Sequence, residues 1–285
     1  MILTYDISDL QPYINWVYFY FAWQLKDKAE QQRIRSEAET FLQECEGHYQ
    51  AYALFQIVEA HAEGEDVLVE RGKWKEERGK WKVALGRRTL ATEGTQERGR
   101  IPLLRQQEVG SQFLCLSDFV SPVADKIGLF ATSVDAAMVS DFDDDPYQKM
   151  MAQLLADRLA EAAAERMHEE VRKHYWGYAK DEQLSIEQMQ QEQFQGIRPA
   201  VGYPSLPDAS LNFLLDELLD FQQIGISLTE SGAMRPHASV SGLMLSSPES
   251  HYFSVGRIGE DQLADYARRR QMPIDKMRKF LTANL

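Results

Sequence analysis

The chain has 285 residues and a formal charge of −13, from 31 Lys+Arg against 44 Asp+Glu, with 44% hydrophobic content. That composition is globular, and the length suits one large domain or two intimate lobes. An acidic surface repels phosphate backbones and anionic lipids, so no nucleic acid and no membrane is expected among its partners.

Cys45 and Cys115 lack Cys-x-x-Cys spacing and read as free buried thiols, which suits a reducing cytoplasm. The most apolar stretch, Tyr13 to Leu25, falls short of the ~20 residues that a bilayer requires. The opening Met-Ile-Leu-Thr-Tyr-Asp has no basic n-region and no small-residue cleavage site, so no export signal is visible.

Residues 6–25 are too aromatic on all sides for a surface helix and read as buried or pocket-lining. From Lys26 to about Val58 the pattern is helical, with Ala38, Phe41, Leu42 and Cys45 sharing a face and Gly47 as an interruption. Gly64-Glu65-Asp66 then turns into Val67-Leu68-Val69, for which Val83-Ala84-Leu85 is a return strand. Between them Arg71-Gly-Lys-Trp-Lys75 recurs as Arg78-Gly-Lys-Trp-Lys82. Two units are too few for a solenoid, which leaves a charged hairpin tip, variable over about 70–100, or a partner-binding loop.

Phe113 to Phe119 and Ile127 to Val134 read as buried strands joined by a turn at Pro122. The acids of 141–145 and Pro146 open a long helix to about His174, where the helix dipole favours negative charge. Met151, Leu154, Leu155, Leu159, Ala162, Ala163, Met167 and Val171 form its apolar stripe, while Glu161, Glu165, His168 and Arg172 collect on another face. Gly196 to Pro204 is a shaped loop, and Asp208 or Ser210 caps a helix through Phe221 that Gly225 ends. Strands at 226–229, 239–245 and 252–257 follow, then two short helices around Pro273. Strands and helices interleave without a βαβ rhythm, so the fold class is α+β.

Glu165-Arg-Met-His168 has the Glu-x-x-His spacing of a helical carboxylate metal site, but no second such motif accompanies it, so no metal is expected. The sequence has no Gly-x-Gly-x-x-Gly, Walker or Gly-x-Ser-x-Gly motif, which removes most support for nucleotide phosphate chemistry and serine hydrolysis. In the 196–204 loop Arg198, framed by Pro199, can offer its planar fork to a carboxylate, and Gly202 permits close approach of a ligand. From spacing alone the same residues also make an ordinary structural turn.

Arg-Pro-Ala-x-Gly-Tyr-Pro at 198–204, preceded by Val171-Arg-Lys-His-Tyr-Trp-Gly-Tyr178 and Leu155-Ala-Asp-Arg-Leu-Ala-Glu-Ala162, closely resembles the activation domain of cobalamin-dependent methionine synthase. Leu228-Thr-Glu-Ser231, Ala238-Ser-Val-Ser-Gly242 and Asp265-Tyr-Ala-Arg-Arg269 match in the same order. Tyr13-Ile-Asn-Trp16 and Phe119-Val-x-Pro122 extend the likeness over nearly the whole chain, most weakly across 26–110. The resemblance implies one C-shaped α+β domain over 1–285, with a central antiparallel sheet flanked by helices. It implies S-adenosylmethionine binding, contact with a cobalamin-binding methionine synthase subunit, and reductive remethylation of cob(II)alamin with a flavodoxin-type electron donor. The corrin performs that chemistry, so no catalytic residue is assigned to the chain.

By position, the resemblance implies that Arg198, with Pro199 and Ala200, holds the ligand carboxylate, and that Tyr252 and Phe253 border it from a facing strand. It places Glu161 by the ligand's ammonium or sulfonium, and Gly202 and Tyr203 by the cobalamin. Three departures stand out: Asn15 replaces an aspartate, Gln56-Ile-Val-Glu-Ala-His61 a Gly-rich Pro-Ala-Asn segment, and Ala209 a histidine. Asn15 keeps hydrogen-bonding capacity but loses a charge that attracts the ligand ammonium. The homocysteine, folate and cobalamin domains do not occur in the chain, so the expectation is a free-standing subunit of a split methionine synthase, acting in trans. Two rival expectations are a non-catalytic structural or regulatory partner of a corrinoid protein, and a reactivator of another corrinoid methyltransferase. Between 257 and 285 seven Lys/Arg face four acids, a basic pole suited to an acidic electron donor.

Overall fold

A computed structural model describes residues 1–70 and 98–285. The tandem repeat at 71–82 and the return strand expected at 83–85 lie outside these residues. In chain order the elements are β1 (Ile2–Tyr5), α1 (Ile7–Leu10), α2 (Trp16–Ala22), α3 (Lys28–Cys45), β2 (Ala51–Glu63), β3 (Asp66–Glu70), β4 (Arg98–Pro102) and β5 (Asp125–Val134). There follow α4 (Ala137–Ser140), α5 (Pro146–Glu170), α6 (Ile186–Gln190), α7 (Leu211–Leu219), β6 (Ser227–Leu228), β7 (Met234–Arg235), β8 (Ser239–Met244), α8 (Glu260–Arg269) and α9 (Ile274–Phe280). The helices flank a curled antiparallel sheet, the α+β class expected from the sequence.

β2 organises that sheet. One of its edges pairs with β5 over Ala51–Ala60, and the other carries β1 at 51–54 and β3 at 60–63. With β4 on β3 and β8 on β5, the order is β4-β3-β2-β5-β8. Alternation assigns the faces. Ala51, Ala53, Phe55 and Phe130 meet the apolar stripe of α5, whereas Leu54, Val58, Ile127, Leu129 and Ala131 meet α7. β5 is therefore covered on both sides, and its two buried hydroxyls are satisfied: Thr132 donates to the Ala160 carbonyl (2.9 Å) and Ser133 to that of Ile224 (2.6 Å).

α5 starts where the acids and Pro146 place it, with the Asp145 carboxylate accepting from the N–H groups of Tyr147 and Gln148. It passes into a π-helical turn over Val171–Tyr175.

Several expected elements are corrected. The helix read through Val58 stops at Cys45, and 51–58 is strand: its nearly continuous apolar run fits either element, and pairing along β5 over Ala51–Ala60 makes it a strand. In the aromatic segment Tyr13, Ile14 and Phe19 are buried, but Val17, Tyr18 and Phe21 are exposed, so α2 presents one face to solvent. The strand expected at 113–119 is a single bridge between Arg105 and Cys115 followed by a 3-10 turn. Residues 252–257 are irregular, and α7 ends at Leu219 with Asp220 in the left-handed region. His168 and Arg172, expected on a polar face of α5, are fully buried. Both cysteines are free and buried.

The C-terminal pole is also smaller than its charge count. Arg269 is drawn into the body by Asp66, Asp265 and Glu65, and Arg270 by Ser210 and Asp208. Arg278 pairs with Glu260, which leaves Arg257, Arg268, Lys276 and Lys279 exposed.

Candidate functional site

A cleft of about 580 Å³ lies between α5 and the 196–205 loop. Asn15 and Tyr18 reach it from the start of α2, and Arg158, Glu161 and Glu165 from α5. Glu192 follows α6, Arg198, Pro199, Ala200 and Tyr203 come from the loop, and Tyr252 and Phe253 from the irregular segment after β8. Residues scattered over the sequence thus share one wall.

The loop runs as an extra edge along β8. Leu245 and Ile197 exchange N–H to carbonyl bonds at 2.9 Å, Leu243 donates to the Pro199 carbonyl at 3.0 Å, and Val201 donates to that of Ser241 at 2.8 Å. Two glycines permit this approach. A β-carbon on Gly242 would come within 2.1 Å of the Pro199 carbonyl oxygen, and one on Gly196, at φ +86, within 2.4 Å of that of Leu245.

Arg198 is buried at 7% exposure, with its guanidinium against the Phe130 ring and ion-paired to Glu165. Its backbone N–H donates to the Tyr252 hydroxyl at 2.9 Å, tying loop to facing segment. Burial alone lowers the Arg198 pKa, but Glu165, Tyr252 and Glu161 outweigh it and hold the guanidinium charged, above its ordinary range. Burial pushes the Tyr252 hydroxyl up to about 12 despite the opposing charge of Arg198. Two atoms of the ion pair, Nε of Arg198 and Oε2 of Glu165, are buried without a partner among the described residues.

Behind them α5 places His168, fully buried with its ring edge-on to Phe194 and its Nε2 3.3 Å from the Tyr178 hydroxyl. Arg172, one turn further, is held by Glu182 at 2.6 Å and lies over the same Phe194 ring. Burial first, then these two arginines, 172 and 198, hold the His168 pKa well below its usual value. Among the described residues no group of three His, Cys, Asp or Glu side chains is placed to hold a metal.

At the open side Tyr203, 50% exposed, donates its hydroxyl to Glu161, so this bond crosses from loop to helix. Asn15 Oδ1 accepts from the Val17 N–H at 3.1 Å and caps α2. Gly202 lies next to the cleft wall, and a β-carbon there would meet nothing within 4 Å. Ala209 and the 56–61 segment do not line the cleft. Sequence reasoning missed Glu165 as the partner of Arg198, since its spacing to His168 suggested a metal motif. It also missed Glu192, which an irregular stretch rich in Gln gave no reason to single out.

The family model described as "Vitamin B12 dependent methionine synthase, activation domain" matches residues 6–271. The chain belongs to that family. A solved structure similar to this activation domain, "Crystal Structure of the MetH Reactivation Domain bound to AdoHcy", is 35% identical and superposes with a TM-score of 0.84, covering 100% of this chain and 90% of that one. Among the described residues of the activation domain no helix is long and apolar enough to cross a membrane.

Proposed function

We propose that this chain binds S-adenosylmethionine in the cleft and supports reductive remethylation of cob(II)alamin carried by a cobalamin-binding methionine synthase subunit. In this reading it acts in trans as a reactivation subunit in the cytoplasm, with a flavodoxin-type protein as electron donor. The observation that carries the reading is the convergence of a buried, permanently charged arginine, three carboxylates and the aromatic pair Tyr252 and Phe253 on one cleft. S-adenosylhomocysteine (AdoHcy), the ligand bound to the similar reactivation domain, is what remains of S-adenosylmethionine once its methyl has gone.

Arg198 takes the ligand carboxylate, with Pro199 and Ala200 supplying the adjoining backbone and Tyr252 and Phe253 the apolar border. Glu161 faces the sulfonium, held in place by the Tyr203 hydroxyl. Asn15 contributes a neutral amide at the α2 terminus. Gly202 and the half-exposed Tyr203 suit the approach of a corrin, since that side of the loop has open space around it. The corrin supplies the redox and methyl-accepting chemistry when its carrier docks. This chain's residues bind, orient and shield the methyl donor.

Calorimetry with S-adenosylmethionine and AdoHcy tests the first step, and absorbance of methylcobalamin tests the second when chain, cobalamin-loaded partner and reduced flavodoxin are mixed as separate proteins with S-adenosylmethionine as methyl donor. Absence of binding heat favours the non-catalytic partner that Asn15 suits. Turnover on a different corrinoid protein alone favours the third reading.

A further inference from the structure

We propose that Glu165 is the residue that receives the α-ammonium of the ligand, working with Arg198 as a paired recognition element for an α-amino-acid zwitterion. The inference rests on the reading that the cleft binds an adenosyl amino acid. An α-amino acid carries its carboxylate and its ammonium on one carbon, so the groups that receive them must adjoin each other. Glu165 is the acid in contact with Arg198.

The state of that pair supports the assignment. Arg198 is buried and fixed from three sides, by the Phe130 ring, by Glu165 and through its backbone by Tyr252. Even so, among the described residues Nε of Arg198 and Oε2 of Glu165 are buried without partners, one donor and one acceptor left unspent on the same ion pair. Orphaned polar groups of this kind are unfavourable, and a zwitterion brings the complementary acceptor and donor. The ligand therefore relieves the pair rather than competing with it.

The other acceptors of the cleft are less suited. Glu161 already accepts from Tyr203, and the oxygen of Asn15 from the Val17 N–H, where it carries no charge. Glu192 stands at the rim of the cleft, where partial desolvation and then the charge of Glu165 raise its pKa. Glu165 thus supplies the negative charge that position 15 lacks.

The test compares three ligands by calorimetry on the full chain: AdoHcy, its deaminated analogue with the carboxylate alone, and its decarboxylated analogue with the amine alone. Glu165→Gln is expected to weaken AdoHcy and the decarboxylated analogue about tenfold or more, while the deaminated analogue changes by less than about twofold. Glu165→Asp, which keeps the charge, recovers part of the loss, and thermal melting confirms that each variant is folded. Wild-type protein by itself should prefer AdoHcy over the deaminated analogue, a comparison that needs no variant. Equal weakening of all three ligands by Glu165→Gln, or an amine-specific loss appearing in Glu192→Gln instead, overturns the assignment. If wild type binds none of the three, the functional reading fails and takes this inference with it.

Discussion

A β-carbon built on Gly242 would stand 2.1 Å from the carbonyl oxygen of Pro199, so β8 and the site loop touch because residue 242 has no side chain. The same β-carbon would press on Phe130 at 2.8 Å, the ring that backs the Arg198 guanidinium. Gly242→Ala must therefore push the loop outward and break the Leu243 to Pro199 hydrogen bond. Overpacking of this kind costs about 1–3 kcal/mol of stability. The accompanying displacement of Arg198 should weaken AdoHcy binding as well. Melting and calorimetry on the same preparation check both, and an unchanged melting temperature would mean that this contact does not hold the loop.

Arg198→Ala removes the cleft's buried cation. Loss of a charge-assisted pair to the ligand carboxylate should cost about 2–5 kcal/mol in binding of S-adenosylmethionine. Stability should fall less, because Glu165 keeps access to water, with 27% of its side chain exposed. A correctly folded Arg198→Ala protein with wild-type affinity would refute the carboxylate assignment.

The parts of this architecture legible in the sequence are those with a strong local code. α5 declared itself through Asp145, Pro146 and a long apolar stripe, and β5 through a run from Ile127 to Val134 that tertiary burial only reinforces. Position 51–58 was misread because Ala, Leu and Phe serve helices and strands alike, and pairing with β5 decided between them. The Arg198 loop could be named from its motif, but its ion pair with Glu165, 33 residues away, depends on how α5 crosses the sheet. Glu161 and Glu165 are one helical turn apart, and nothing local distinguishes the one that meets Tyr203 from the one that meets Arg198.

His168 should make stability fall in mild acid. Its imidazole is buried and kept neutral by burial, by Arg172 and by Arg198, so its folded pKa lies well below the unfolded value. Below pH ~6.5 the unfolded chain takes up a proton that the folded chain refuses. The stabilisation is therefore complete above that pH and is lost as pH falls, by up to about 1.4 kcal/mol per pH unit. His168→Gln, which can still meet the Tyr178 hydroxyl, should flatten this part of the profile. Parallel melting curves for the two proteins between about pH 7 and pH 5 would contradict it.

Arg269 tests the corrected view of the C-terminal pole. It binds the buried Asp66, Asp265 at 2.7 Å, Glu65 at 3.2 Å and the Leu103 carbonyl at 3.0 Å, and so joins α8 to the antiparallel pair β3 and β4. Among the described residues Arg269→Ala leaves the buried Asp66 only its ion pair with Arg100, and it should destabilise by on the order of 3 kcal/mol. Arg268→Ala, exposed on the same helix, should change stability by less than about 1 kcal/mol. If both substitutions affect denaturant midpoints equally, the network does not bear on folding. With Arg269 held in that network, salt-dependent association with the proposed flavodoxin-type donor should follow the exposed Arg268, Lys276 and Lys279.

Asn15 is where this chain departs from the aspartate that its family resemblance implies. Its oxygen caps α2, and an aspartate is an equally good cap, so Asn15→Asp should leave the local fold intact. What changes is charge. A carboxylate at this wall of the cleft adds attraction for a ligand that carries both an ammonium and a sulfonium, and a charge-assisted contact worth about 1–3 kcal/mol corresponds to roughly tenfold tighter binding of S-adenosylmethionine. Position 15 is half-buried on the cleft wall, which would raise the pKa of a new carboxyl and argues for titration at neutral and mildly alkaline pH. The decisive arm places the substitution in the Glu165→Gln background. If the ammonium is free to choose between neighbouring carboxylates, Asn15→Asp should restore most of the affinity that Glu165→Gln removed, and the restored part should be absent for the deaminated analogue. Restoration equal for both ligands would show that position 15 acts on the sulfonium or on the fold, and would separate its role from that of Glu165.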